Sequence, residues 1–168
     1  MTVPKTHMIA VAMIALFFSL IQSAWSGENR VVYSKKGKFE DIRDDVALAI
    51  TGRGMVINNI AHVGEMLERT GKDLGATRDI YLKADVFEFC SAVLSRKMME
   101  ADPDNIVYCP YTISVYVLPE SPDVVKVAYR KPPTAVTAES AKALDAVENL
   151  LSGIVQEALQ IHADNSTR

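Results

Sequence analysis

Residues 87–116 read FEFCSAVLSRKMMEADPDNIVYCPYTISVY, and the order of local preferences in this stretch decides the fold. Val86, Phe87 and Phe89 favour an extended chain, which predicts a strand over residues 85–89. A helix continued back from Met99 is the competing reading, and the β-favouring residues decide against it. Ser91 is a residue type that caps helices. It opens a helix over residues 91–101, with Val93, Leu94, Lys97 and Met98 on the inner side. Pro103 ends that helix, since proline cannot continue one. A long strand over residues 106–118 follows, interrupted at Cys109-Pro110, where the missing N–H marks an edge or a bulge. Beyond it Ile113, Val115 and Val117 alternate with Ser114, Tyr116 and Leu118. Strand, helix and strand thus place both cysteines of the chain, Cys90 and Cys109, at element junctions.

Outward from this stretch the pattern continues. Residues 119–123, PESPD, form a turn, and residues 124–129 return as the second strand of a hairpin. Upstream, Phe39, Ile42, Val46, Ala49 and Ile50 recur at three- and four-residue steps, the period of an amphipathic helix. Glu40 and Asp41 favour its positive end, and Gly52 and Gly54 stop it. Residues 31–33 make a short first strand. Residues 55–63 make a second, ending at His62. A short helix over residues 65–69 and a loop over 70–75 follow. Residues 136–162 form a long helix in which Leu144, Val147, Leu151, Ile154, Ala158 and Ile161 keep a heptad-like step. Leu150, Val155 and Leu159 broaden that stripe, which suits a helix lying on a sheet; a dimer contact is the alternative. The predicted fold class is α+β: a mainly antiparallel sheet with helices packed on it, plus a long C-terminal helix.

The first 26 residues differ in kind. Lys5 precedes the uncharged run 8–21, MIAVAMIALFFSLI, and Ala24 and Ser26 stand at the −3 and −1 positions of a cut before Gly27. That is the order of a cleavable signal peptide. The run is shorter than the ~20 residues of a spanning helix, so a retained anchor is the weaker reading. The expected division is a signal peptide at 1–26, an α+β domain at 27–135, and a helix with tail at 136–168. Export to the periplasm or beyond puts the cysteines where a disulfide persists. The chain carries 18 basic and 21 acidic residues, a net charge of −3. Without Lys5 the balance is 17 against 21, or −4, which argues against a nucleic-acid partner.

Cys90 lies at the start of a helix, where the dipole stabilises a thiolate and lowers the pKa. Cys109 enters the next strand as its partner. A structural disulfide, a redox-active pair, and inert or metal-ligating thiols all remain open. No C-x-x-C, haem-attachment or zinc spacing occurs. His62, Cys90 and Cys109 together would make a soft set suited to copper or zinc. An exposed turn histidine is the other account of His62. Tyr111 completes the pocket candidates. The serine elbow, the P-loop, the dinucleotide fingerprint and H-E-x-x-H are all missing, so classical hydrolase, kinase and dehydrogenase readings gain nothing.

Over residues 32–132 the layout resembles the domain of unknown function 302 family. The matching pieces are YSKKGKFEDIRDDVALAITGRGMVINNIAHVGEML and VFEFCSAVLSRKMMEADPDNIVYCPYTISVYVLPESPDVVKVAYRKPP. The family pattern has an amphipathic helix ending at glycine, then a strand ending near a histidine. A valine-rich strand with a tyrosine follows a Leu-Pro entry, and a last strand ends in Tyr-x-x-Pro. Tyr129 to Pro132 fits that ending, while Cys109-Pro110 replaces Leu-Pro and Phe89-Cys90-Ser91 replaces a glycine-containing turn. The resemblance implies a small α+β fold and a dimer. It also implies that the cysteine-bearing turns face His62. It supplies no activity and no cofactor. The expectation is an exported, non-enzymatic domain that binds a small ligand or a periplasmic protein at the His62, Cys90, Cys109 and Tyr111 end of the sheet. The alternatives are a thiol-redox or metal-handling protein acting through Cys90 and Cys109, and a dimerisation module.

Overall fold

The computed structural model describes residues 29–135 and 137–161. The signal-peptide reading, its cut before Gly27 and the end of the C-terminal helix from residue 162 lie outside them. Among the described residues no helix is long and apolar enough to cross a membrane.

Five strands form one antiparallel sheet: β1 (Arg30–Lys36), β2 (Ile57–Ala61), β3 (Lys83–Phe89), β4 (Tyr111–Val117) and β5 (Val124–Arg130). Their order across the sheet is β1-β5-β4-β3-β2. The helices are α1 (Phe39–Thr51), α2 (Val63–Asp73), α3 (Ala92–Ala101) and α4 (Ala138–Ala158), with a 3-10 helix at Pro103–Tyr108. The fold is α+β.

Alternation builds the core. Phe87, Phe89, Tyr111, Ile113, Val115, Val117, Val125, Val127 and Tyr129 occupy one face of the sheet and are all buried. Ile42, Val46, Ala49 and Ile50 of α1, Met98 of α3 and the stripe of α4 cover them in one cluster. The stripe residues Leu144, Val147, Leu151, Ile154 and Ala158 are buried within the chain, so the heptad-like step reflects packing on the protein's own sheet and helices. α2 buries no residue and leans on the start of β3. It can approach so closely because Gly64 has no side chain: a Cβ there would lie 2.7 Å from the Ala84 backbone nitrogen.

Several boundaries differ from the sequence expectation, each for a tertiary reason. β1 extends to Lys36 because its whole length pairs with β5, although its alternate residues Arg30, Val32, Ser34 and Lys36 are exposed. β2 is shorter than 55–63, with a bulge between Ile57 and Asn59. α2 runs through the expected 70–75 loop as far as Asp73; Thr70 Oγ1 donates to the Met66 carbonyl, 2.8 Å, and Gly75 at φ 70 turns the chain out. Residues 106–108 belong to the 3-10 helix and not to a strand. There Asn105 is buried and donates to the Met98 carbonyl (2.9 Å) and Ser140 Oγ (2.8 Å), locking α3 to α4. On α3 the inner side is Leu94, Ser95 and Met98. Val93 and Lys97 face solvent, because only positions three and four before the fully buried Met98 share its face.

Candidate functional site

Cys90 follows β3 and Cys109 precedes β4, and the register places Phe89 opposite Tyr111. The two junctions therefore meet at one end of the sheet. The Sγ atoms stand 2.7 Å apart, and both thiols are free and partly exposed. Ser91 caps α3 by accepting from the Leu94 N–H, 3.4 Å. That sets the helix phase so that Ser95, one turn on, points back at the sulfurs. Its Oγ lies 3.7 Å from Cys109 Sγ and 3.1 Å from Tyr111 Oη. Tyr111 itself is buried and packs edge-on against Phe89, ring centroids 6.0 Å apart. It lies beneath the pair and also lines the small pocket beside it. Burial pushes its phenol above the usual range.

The expected acidification of Cys90 is overturned. Its thiol is pushed up to about 11, first by burial and then by the Cys109 sulfur beside it. Cys90 sits one residue outside the cap Ser91, so it is too far from the helix N–H groups to feel much of the dipole. At pH 8 the reduced protein should alkylate at Cys90 about a hundredfold more slowly than a thiol of ordinary pKa, since two pKa units are hundredfold in thiolate. The rate should climb through pH 11. A Cys90 rate at pH 8 equal to that of an unstructured cysteine peptide would refute this.

His62 does not join the cysteines. β2 runs antiparallel to β3, with Ile57 opposite Phe89 and Ala61 opposite Val86, so the end of β2 lies beside the start of β3. Along β3 the two ends are separated by five residues, roughly 17 Å. Among the described residues no three of His, Cys, Asp and Glu are grouped to hold a metal ion. A His62, Cys90 and Cys109 centre is thus ruled out by topology.

His62 instead meets Asp85. Its Nδ1 is 2.8 Å from Asp85 Oδ1. Arg43 Nε donates to Asp85 Oδ2 at 2.6 Å and lies over the Phe87 ring, 5.8 Å from its centroid. Asp85 is 7% exposed. The Asp85 carboxylate raises the Arg43 guanidinium above its usual value. Sequence reading missed Asp85, Arg43 and Ser95. A signal for Asp85 existed: it shares the apolar row of Phe87 and Phe89, and a carboxylate there needs a partner.

The cavities follow the same division. At the cysteine end a pocket of about 90 Å³ is lined by Tyr108, Pro110, Tyr111 and Leu151 among others, and by neither cysteine. At the His62 end a cleft of about 530 Å³ opens between α1, α2 and the start of β3.

A family described as "Domain of unknown function DUF302" matches residues 30–158. Among solved structures, the fold is similar to the uncharacterized conserved protein DUF302 from Bacillus stearothermophilus. The TM-score is 0.65 at 12% identity, covering 79% of this chain and 99% of that one. No curated protein matches the sequence.

Proposed function

The chain belongs to the family described as domain of unknown function DUF302, whose description carries no activity; we propose that its function lies in the Cys90–Cys109 pair, as a dithiol that reduces a partner disulfide. One observation carries the reading: two free sulfurs 2.7 Å apart at a partly exposed junction. In the first step one cysteine sulfur attacks a partner sulfur, forming a mixed disulfide and expelling the other partner sulfur as thiolate. In the second, the remaining cysteine attacks the protein's own sulfur in that bond. Cys90 and Cys109 close to a disulfide and the second partner thiolate leaves. Two electrons pass to the partner, and the two thiol protons go to its thiolates.

The environment divides the labour. Burial raises the Cys90 thiol, and the Ser95 hydroxyl lies 3.7 Å from Cys109 Sγ, within reach of the sulfur as it reacts, so the first attack is assigned to Cys109. A high thiol pKa makes a poor leaving group, which favours the closed disulfide and makes the open form a reductant. The partner is a polypeptide and not a small ligand. The local pocket is small, while Val93, Ile106 and Val107 lie exposed within three residues of the cysteines and offer apolar contact. The reading includes export through the 1–26 leader, to a compartment where such pairs cycle.

A second reading is favoured by the same high pKa of Cys90: a permanent disulfide that only staples β3 to β4. Intact mass of protein isolated from cells, before and after alkylation, reports whether the chain starts at Gly27 and whether the pair is closed. Equilibration of the purified protein in glutathione and dithiothreitol buffers then reads the exchange. The reducing-dithiol proposal expects reversible opening at a potential at or below about −270 mV, with the fold retained and electrons passed to a model protein disulfide. Opening that unfolds the chain, or a reduced form that leaves the model disulfide intact, would establish the staple instead.

A further inference from the structure

The other end of β3 carries a second constellation that the thiol chemistry does not use. Asp85 is buried between Arg43 and His62 and hydrogen-bonds both. One oxygen is occupied by each, so the carboxylate has a structural tie to α1 and an orienting tie to the histidine. The turn bearing His62 has a fixed seat, because Gly64 lets the start of α2 press on the Ala84 backbone. His62 opens α2 without capping it. Its ring is therefore committed to Asp85 through Nδ1 alone, and no described residue takes Nε2. With Nδ1–H donated to the carboxylate, Nε2 of the neutral ring carries the lone pair. The side chain is 50% exposed and lines the cleft of about 530 Å³, a size suited to a small molecule.

What the cleft accepts follows from its charges. Glu40, Asp44, Glu65, Glu68 and Asp85 line it, against the permanent cations Arg43 and Lys83. Most of these carboxylates are engaged: Glu40 with Lys83, Asp44 and Asp85 with Arg43, and Glu68 with Lys72. Glu65 has no ion-pair partner among the described residues. An anion would meet uncompensated negative charge, and the neutral form of the His62 ring bonded to Asp85 through Nδ1–H offers it no N–H at Nε2. A donor with positive charge meets both needs, and Phe39 and Tyr81 add aromatic walls. We propose that this cleft binds a small organic amine, with an ammonium N–H donated to His62 Nε2 and its charge met by Glu65.

The test uses the full chain, labelled with ¹⁵N, and three probes of one shape: benzylamine, benzyl alcohol and benzoate. Benzylamine should shift the His62 Nε2 resonance and the Glu65 amide saturably. Benzyl alcohol should bind at least about tenfold more weakly, and benzoate should leave both resonances in place. His62→Ala and Glu65→Gln, both at exposed side chains, should each weaken benzylamine by about tenfold. If His62→Ala disturbs the fold, Glu65→Gln and the probe series still decide. Benzoate binding as tightly as benzylamine would overturn the proposal. So would benzylamine affinity unchanged in the folded variants, or no saturable shift from benzylamine up to millimolar concentration.

Discussion

Phe87→Ala should lower the unfolding free energy by about 3–5 kcal/mol, the range for deleting a buried aromatic ring. Phe87 is fully buried on β3, which has neighbours on both sides, with Ile60 of β2 and Ile113 of β4 directly opposite. The Arg43 guanidinium covers its ring. A strand paired on both edges cannot move in to fill the void, so the cavity term should stay near its upper value. Against a total of about 5–15 kcal/mol for a domain of this kind, this is a large share. Urea unfolding checks it: the midpoint should fall with an unchanged slope. Val86→Ala, one position along on the solvent-facing side of the same strand, should cost under about 1 kcal/mol. Equal losses at Phe87 and Val86 would contradict the two-faced sheet.

Closing the Cys90–Cys109 bond should stabilise the chain by about 3 kcal/mol, from the loop of about 20 residues it removes from the unfolded ensemble. Because the sulfurs already touch, the native state has little to rearrange, and the effect should appear mainly through the unfolded chain. For a domain of this length the melting temperature should rise by about 10 °C on oxidation. Cys90→Ser should melt with the reduced form whether or not an oxidant is present. Identical melting temperatures for oxidised and reduced wild-type protein would show that the junctions do not constrain the unfolded chain.

The α+β class, the β4–β5 hairpin, the α1 pattern and the meeting of Cys90 with Cys109 were legible in the sequence. Each rests on local periodicity or on adjacency of β3 and β4. Where legibility failed, the deciding information was tertiary. The 3-10 helix at Pro103–Tyr108 is held by Asn105 reaching Ser140 on α4, a contact that no window around residue 106 contains. The Thr70–Asp73 turn of α2 carries Gly71, and glycine there looks like loop to a local rule. The placing of His62 with the cysteines failed on topology: both ends of β2 are equally available until its direction beside β3 is known. Asp85 was legible in the sequence, since a carboxylate in the apolar row of Phe87 and Phe89 needs a partner.

The sheet order has a consequence for how the chain becomes a structure. Among the described residues β1 pairs with β5 alone, with Arg30 opposite Arg130. Every contact that holds β1 in the sheet must wait until the last strand has been made, and the closure of so long a loop slows folding. A chain emerging from its N-terminus thus keeps β1 unpaired until residues 124–130 have been made.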